Sequence, residues 1–326
     1  MSRRLCVAPM LDWTDRHCRF FLRLCAPHAR LYTEMIATGA LLHGDAERHL
    51  EFDPSEHPVA AQLGGSEPEE LAACARMAER RGYDEVNLNV GCPSERVRHG
   101  AFGACLMAEP RLVADNVRAM RAAVSIPVTV KHRTGIDRIE SYDFVRDFVG
   151  TVAEVGCRTF IVHARNAWLK GLSPKENREI PPLRYGVVHR LKGDFPELEF
   201  VINGGLISWQ DVAAQLTLVD GVMLGRAAYH DPWSLAAMDA QIFGDATVGH
   251  TRAVVVGKML EYATREIGRG TALRHIARHM LGLLHGEPGA RLWRRMLSDP
   301  VQLGRNDPRL IALAFEAADG RLAAAA

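Results

Sequence analysis

Short apolar, β-rich runs recur along the chain at 5–10 (LCVAPM), 30–35 (RLYTEM), 59–64 (VAAQLG), 85–91 (EVNLNVG), 127–133 (PVTVKHR), 158–165 (RTFIVHAR), 199–204 (EFVING) and 221–226 (GVMLGR). Runs this short and this apolar suit strands covered on both faces, as in a parallel sheet. The segments between them have helical period and helical caps. In SEPEELAACARMAERRG, Ser66 and the acids of the first turn suit a helix N-terminus, and Gly82 suits its end. Eight strands alternating with helices predict an α/β fold, a closed (β/α)8 TIM barrel. An open doubly wound sheet would want a GxGxxG turn after its first strand, and the sequence has none.

From about residue 245 the strand pattern stops, and 251–267, 271–286, 289–299 and 308–322 all read as helices. The chain therefore divides into a catalytic barrel over 1–244 and a small helical domain over 245–326, with Gly244-Asp245 as the junction. A length of 326 residues exceeds that of a typical single barrel and accommodates both. The only low-complexity piece is the terminal AAAA.

Composition changes this picture little: 48% hydrophobic and 24% charged residues are ordinary for a globular protein. No apolar window approaches the eighteen or so residues of a membrane span, and Asp12 and Asp15 interrupt any signal-peptide core. A cytoplasmic monomer with no membrane association is expected. Seven cysteines, with no CxxC pair and no Cys/His cluster at zinc spacing, predict free thiols and no metal. The charge is more informative, because the net +1 conceals a split. Residues 251–326 hold 12 Lys/Arg against 7 Asp/Glu, leaving 28 against 32 in the rest. A basic tail on an acidic body hints at a polyanionic partner, although ordinary solvated helices also carry such an excess.

In a (β/α)8 barrel the residues at the C-terminal ends of the strands face the active-site mouth. Those ends carry Pro9-Met10, Gln62, Asn87-Leu88-Asn89, Cys92, Lys131, Arg133, His163, Arg165, Asn203-Gly204-Gly205 and Gly225-Arg226. Glycines on the last two strands suit a phosphate site, where backbone amides must approach the ligand closely and Arg226 adds a charge-assisted bond. A lysine in the position of Lys131 can stabilise negative charge on a reduced flavin ring, and His163 can hydrogen-bond the same edge or the phosphate. Each residue also has a structural reading. The glycines suit tight turns, Lys131 suits a carboxylate partner, His163 a core histidine, and Gln62 a hydrogen bonder at the barrel mouth. Cys92, between a glycine and a proline in the loop leaving the fourth strand, is placed to expose its thiol and donate a proton. Cys105 in GACLM is its rival, while the other cysteines sit in apolar or helical contexts.

Together these motifs resemble the tRNA-dihydrouridine synthases, and within them the bacterial A-type subfamily. The likeness is carried by APMLDWTDRHCR (8–19), AAQLGG (60–65), NLNVGCPSERVRHGAFGACLM (87–107), VTVKHRTGID (128–137), VHARNAWLKGLSPKENREIPPL (162–183), VINGG (201–205) and GVMLGRAAY (221–229). The resemblance implies FMN held by Pro9, Met10, Leu11, Gln62, Lys131, His163, Asn203, Gly204, Gly205, Gly225 and Arg226. It implies Cys92 as the proton donor, NADPH as reductant with NADH the alternative, and D-loop uridines at tRNA positions 20 and 20a as substrate. It also implies tRNA contacts at Asn89, Lys175, Arg178, Arg291 and Arg294. The last two have independent support, since their three-residue spacing puts Arg291 and Arg294 on one face of a helix. Trp293 between them reads as core. Two rivals remain: an FMN barrel acting on a free pyrimidine, and a non-catalytic RNA-binding barrel.

Overall fold

The computed structural model describes residues 2–94, 100, 102–244 and 250–322. Asp245 at the expected junction, and 95–99 and 101 within the GCPSERVRHGAFG stretch, lie outside the described residues. All eight expected strands form: β1 Leu5–Val7, β2 Leu31–Ala37, β3 Val59–Gly64, β4 Glu85–Val90, β5 Val128–Arg133, β6 Thr159–His163, β7 Glu199–Asn203 and β8 Gly221–Leu224. They make one parallel sheet in the order β1-β8-β7-β6-β5-β4-β3-β2. The two edges then meet, because Val7 donates its amide to the Arg30 carbonyl at 2.8 Å and Arg30 donates to Leu5 at 2.9 Å. This closes the sheet into the (β/α)8 barrel and removes its free edges.

The described residues form two compact units, Met1–Leu11 with Arg30–Gly225, and Asp12–Ala29 with Arg226–Ala326. In the first unit, alternation along each strand decides what fills the barrel. Cys6, Ala8, Tyr32, Ala60, Ile161, Val201 and Met223 pack together inside, with Met10 against them. Below this apolar layer, at the N-terminal ends of the strands, lies an ionic one. The Arg3 guanidinium donates to Glu85 and to Glu199, each at 2.7 Å, while Tyr32 Oη donates to Glu85 at 2.8 Å. The Arg30 guanidinium stands 3.4 Å from the same Glu85 carboxylate without a hydrogen bond.

Helix ends follow local chemistry, with one shift from expectation. The helix Pro68–Arg81 ends at Gly82 in the left-handed conformation (φ 99°), but it begins one residue after the expected cap. Glu67, not Ser66, occupies the cap position and makes no side-chain cap bond. Proline at the first helical position sets this start, since it needs no amide partner and holds the residue before it extended.

The second unit is helical, with helices Arg16–Cys25, Arg226–His230, Pro232–Phe243, Arg252–Gly268, Leu273–Ala277, Ala290–Leu297, Pro300–Gly304 and Leu310–Leu322. Gly244 ends Pro232–Phe243 in the left-handed region (φ 72°). The long helix expected over 271–286 is only five residues, continued by turns with i to i+3 bonds such as Met280 to Ala277 and Leu283 to Met280. Gly282 explains the change: a Cβ there would stand 2.5 Å from the His230 carbonyl oxygen, so the backbone is pressed against another segment of the same unit.

Trp293 is fully buried, with Nε1 donating to the Met280 carbonyl at 2.9 Å and its ring edge-on to Phe315. Gly289 starts its helix at φ 80°, where a Cβ would lie 2.5 Å from the Ala318 carbonyl oxygen. Trp293→Ala should destabilise this unit by about 3–5 kcal/mol, the usual cost of removing a buried aromatic. Hydrogen exchange should show accelerated amides over 252–322 with the barrel strands unchanged; equal acceleration in both would contradict the assignment.

Candidate active site

The strict alternation of β4, Glu85-Val86-Asn87-Leu88-Asn89-Val90, sends Glu85, Asn87 and Asn89 to one face of the sheet and the three apolar residues to the other. Because Gln62, Asn87 and Thr129 share one register, their side chains meet across three strands. Gln62 Nε2 donates to Asn87 Oδ1 at 2.7 Å, and Asn87 Nδ2 donates to Thr129 Oγ1 at 2.8 Å. Thr129 Oγ1 donates to Glu85 Oε1 at 2.7 Å. One layer higher, Asn89 Nδ2 donates to Gln62 Oε1 at 2.8 Å. Asn89 Oδ1 then accepts from the amides of Gly91 at 3.1 Å and Cys92 at 3.0 Å.

The segment carrying Cys92 is bonded on every side. Arg133 Nε donates to the Gly91 carbonyl at 3.1 Å, and the Ala104 amide donates to the Cys92 carbonyl at 2.9 Å. The Cys92 thiol is half-buried, 3.5 Å from Ser94 Oγ. Cys105, the rival, is also half-buried, with Sγ 3.1 Å from the Phe102 carbonyl oxygen. The other five cysteines are buried. Burial pushes the thiols of Cys6 and Cys157 up to about 12 and that of Cys74 up to about 11, which leaves them protonated and inert at neutral pH.

Next to Cys92 the mouth is cationic. Although part of Lys131 reaches the surface, burial, reinforced by the Arg133 charge and opposed by Cys92, pushes its ammonium down to about 7. Lys131 Nζ donates to Asn203 Oδ1 at 3.1 Å, and Asn203 Nδ2 donates to the Met223 carbonyl at 2.7 Å. Burial likewise lowers Arg133 to about 10. Its guanidinium bonds only to carbonyls, including Asn177 at 2.9 Å and Asn166 at 3.3 Å. Among the described residues neither Lys131 nor Arg133 pairs with a carboxylate. His163 is held well below its usual range by burial and then by Arg133, Lys131, Arg165 and Arg178, so it is a neutral hydrogen-bonding group.

Gly204 and Gly205, at the end of β7, have φ of 112° and 70°. A Cβ would stand 2.8 Å from His163 Cδ2 at the first and 2.5 Å from Leu183 Cδ1 at the second. The left-handed backbone is thus what favours glycine at both positions. Tyr185 Oη donates to the Gly204 carbonyl at 2.6 Å. Gly225 follows β8 with Met10 Sδ 3.7 Å from where its Cβ would be, and Arg226 opens the next helix. Pro9 and Met10 are half-buried and Leu11 is exposed.

The loop after β6 carries Lys175 and Arg178, both exposed, on a structured scaffold. Buried Asn177 accepts from the Trp168 amide at 2.7 Å and donates to the Trp168 and Leu172 carbonyls. Arg291 and Arg294 are exposed on Ala290–Leu297 in the second unit. Gln62, Asn89 and Asn203 differ from the other candidates in having their amides engaged inside the protein at both ends. Of Glu85, Asn87, Thr129 and Arg133, the strand patterns place only Asn87 and Arg133 at the mouth, and they assign a role to none. The signal for Glu85 and Asn87 was the polar alternation within an otherwise apolar strand.

This barrel mouth combines a half-buried thiol, one half-buried and one buried cation without carboxylate partners among the described residues, and a glycine cradle. The dihydrouridine synthase family model matches residues 6–318 of the chain. The chain belongs to the dihydrouridine synthase family. Three relatives named tRNA-dihydrouridine(20/20a) synthase support the membership. That of Pseudomonas aeruginosa is 57% identical over 98% of this chain and 97% of its own length. That of Escherichia coli K12 is 59% identical over 91% of this chain and 86% of its own, and that of Salmonella typhimurium 56% identical over 96% and 94%. Membership in the dihydrouridine synthases makes the chain an oxidoreductase. Among the described residues no helix is long and apolar enough to cross a membrane, and no group of three or more His, Cys, Asp or Glu is placed to hold a metal.

Proposed function

We propose that the protein is an FMN-dependent tRNA-dihydrouridine synthase that reduces the C5–C6 double bond of uridines 20 and 20a in the D-loop, with NADPH as reductant. The carrying observation is the half-buried Cys92 thiol beside half-buried Lys131 and buried Arg133, two cations that no carboxylate among the described residues neutralises. A phosphate-bearing, electron-accepting cofactor fits that field, because an anion there offsets charges the protein leaves unbalanced.

When bound, FMN would supply the hydride that adds to uridine C6. Lys131 would hold the edge of the flavin ring and offset negative charge there, and neutral His163 would donate or accept a hydrogen bond without adding charge. Asn203 orients the Lys131 ammonium through its 3.1 Å bond. Gln62, Pro9, Met10 and Leu11 would line the cofactor, and Gly204, Gly205, Gly225 and Arg226 would receive its phosphate. Cys92 would then give its proton to C5, which completes dihydrouridine, and solvent would reprotonate the thiolate. Asn89 has one Nδ2 hydrogen left for the uracil.

A uridine in a folded RNA loop must leave its stack to reach this mouth, so affinity comes from elsewhere on the substrate. Lys175 and Arg178 on the barrel unit, and Arg291 and Arg294 on the helical unit, supply phosphate contacts. By function the chain divides into a catalytic part over 1–244 and a tRNA-binding part over 245–326, a boundary that falls inside the helical unit, whose C-terminal segment begins structurally at Arg226.

Cys92→Ala should bind FMN and accept electrons from NADPH at the normal rate while forming no dihydrouridine on tRNA; product formation at the wild-type rate would remove the thiol from the mechanism. Lys131 has a second signature. An anion beside it raises its ammonium above about 7, so its contribution to affinity is full below pH 7 and is lost as pH rises through the raised value. The ratio of wild-type to Lys131→Met affinity for FMN should hold constant below pH 7 and shrink by up to about tenfold per unit above it. A ratio independent of pH would place the ammonium away from the cofactor. Replacing Arg291 and Arg294 together by Ala should weaken tRNA binding and lower the log–log salt slope by about 2, since each arginine neutralises one phosphate. An unchanged slope would exclude that role.

A further inference from the structure

The polar chain inside the barrel runs in one direction only. Glu85 is an acceptor, held by Arg3 on one oxygen and by Tyr32 and Thr129 on the other. Thr129 spends its only hydrogen on Glu85, so toward Asn87 it can only accept, which turns the Asn87 amide nitrogen toward it. The Asn87 oxygen must then face Gln62, whose nitrogen donates to it, and the Gln62 oxygen must face Asn89. The Asn89 oxygen is left pointing at the amides of Gly91 and Cys92. Flipping any one amide would set nitrogen against nitrogen and oxygen against oxygen in a buried site, where an unmade bond is costly. All five polar residues of the chain, Glu85, Thr129, Asn87, Gln62 and Asn89, are buried.

We propose that Thr129, Asn87 and Gln62 are positioning residues for Cys92: a one-way hydrogen-bond chain anchored on Glu85 at the closed end of the barrel fixes the Asn89 amide, and through it the segment that carries the thiol. This deepens the reading of Cys92 as the proton donor and rests on it. Thr129 touches neither Cys92 nor the residues assigned to tRNA, yet it sets the polarity of everything above it. The opposite orientation would point the Asn89 NH2 group at two N–H donors and displace Gly91 and Cys92.

Thr129→Val keeps the shape of the side chain and removes the hydroxyl, while Thr129→Ser restores it. With the bound flavin reduced by dithionite, single-turnover reoxidation by tRNA should slow in Thr129→Val on the order of a hundredfold, the loss that about 1 Å of misplacement causes. The apparent KM for tRNA and the rate of flavin reduction by NADPH should not move. Thr129→Ser should recover most of the rate, which a packing defect alone would not allow. Should Thr129→Val fail to fold, Thr129→Ala removes the same hydroxyl and carries the same expectation. Iodoacetamide labelling gives a readout independent of turnover, since Cys92 should alkylate at a changed rate in Thr129→Val and at the wild-type rate in Thr129→Ser. Wild-type reoxidation and labelling rates in the variant lacking the hydroxyl would overturn the proposal. A wild-type protein that forms no dihydrouridine while its Cys92 labelling still responds to Thr129 would instead overturn the reading of function and leave the positioning chain standing.

Discussion

The burial of Glu85 constrains the rest of the barrel. A carboxylate withdrawn from water costs several kcal/mol unless charges and donors surround it, and removing one partner of such a cluster exposes the whole penalty. Here the surroundings are Arg3, Arg30, Tyr32 and Thr129, drawn from segments at both ends of the sheet and from its middle. Satisfying that one group ties β4 to β5 through Thr129 and to β2 through Tyr32, and holds the N-terminal segment carrying Arg3 beside it. It also gives the amides stacked above it a defined orientation. Stability at the closed end of the barrel and geometry at the open end therefore depend on the same group.

The open end is built on the opposite principle. Among the described residues no carboxylate pairs with its Lys131 or Arg133, and the cost appears as an ammonium and a guanidinium that burial pushes down to about 7 and about 10. Sites that tolerate such a cost are the ones expected to receive an opposing charge from a ligand. The same field keeps His163 neutral. Five of the seven thiols are buried, which confines thiol chemistry to Cys92 and Cys105. Arg133 has a double part: its charge adds to the field, and its bonds to Gly91, Asn166 and Asn177 tie the loops after β4 and β6 together.

The helical unit solves its own burial problems locally. Asp15 caps the helix Arg16–Cys25 through the His17 and Cys18 amides and receives His279 at 3.0 Å and Arg278 at 2.6 Å. Burial alone would raise its carboxyl, but the His279 bond and charge outweigh burial and hold it well below the usual carboxylate range. Buried Glu266 is faced by Arg16, Arg265 and Arg269. Several of the arginines that make this segment basic are thus structural. The excess read from composition overstates the charge free for a polyanion, and Arg291 and Arg294, exposed on one helix face, are the better candidates for it.

The eight strands and the placement of Cys92 in the loop after the fourth were legible in the sequence, because apolar run length, period-2 alternation and the Gly-Cys-Pro turn are local properties. The burial of Trp293 was legible for the same reason. The interrupted helix after Leu273 was not, since the backbone that leaves no room at Gly282 comes from a segment fifty residues away in the chain. Nor was the engagement of Gln62 and Asn89, which the sequence presents simply as polar residues at a barrel mouth. Their partners are set by register across β3, β4 and β5, and a one-residue slip would break every bond. Sequence by itself determined which residues face inward and which chemistry they carry. Only the closed barrel decided which of them satisfy one another and which are left for a ligand, because hydrogen-bond partners and unbalanced charges are relations between strands and no single strand encodes them.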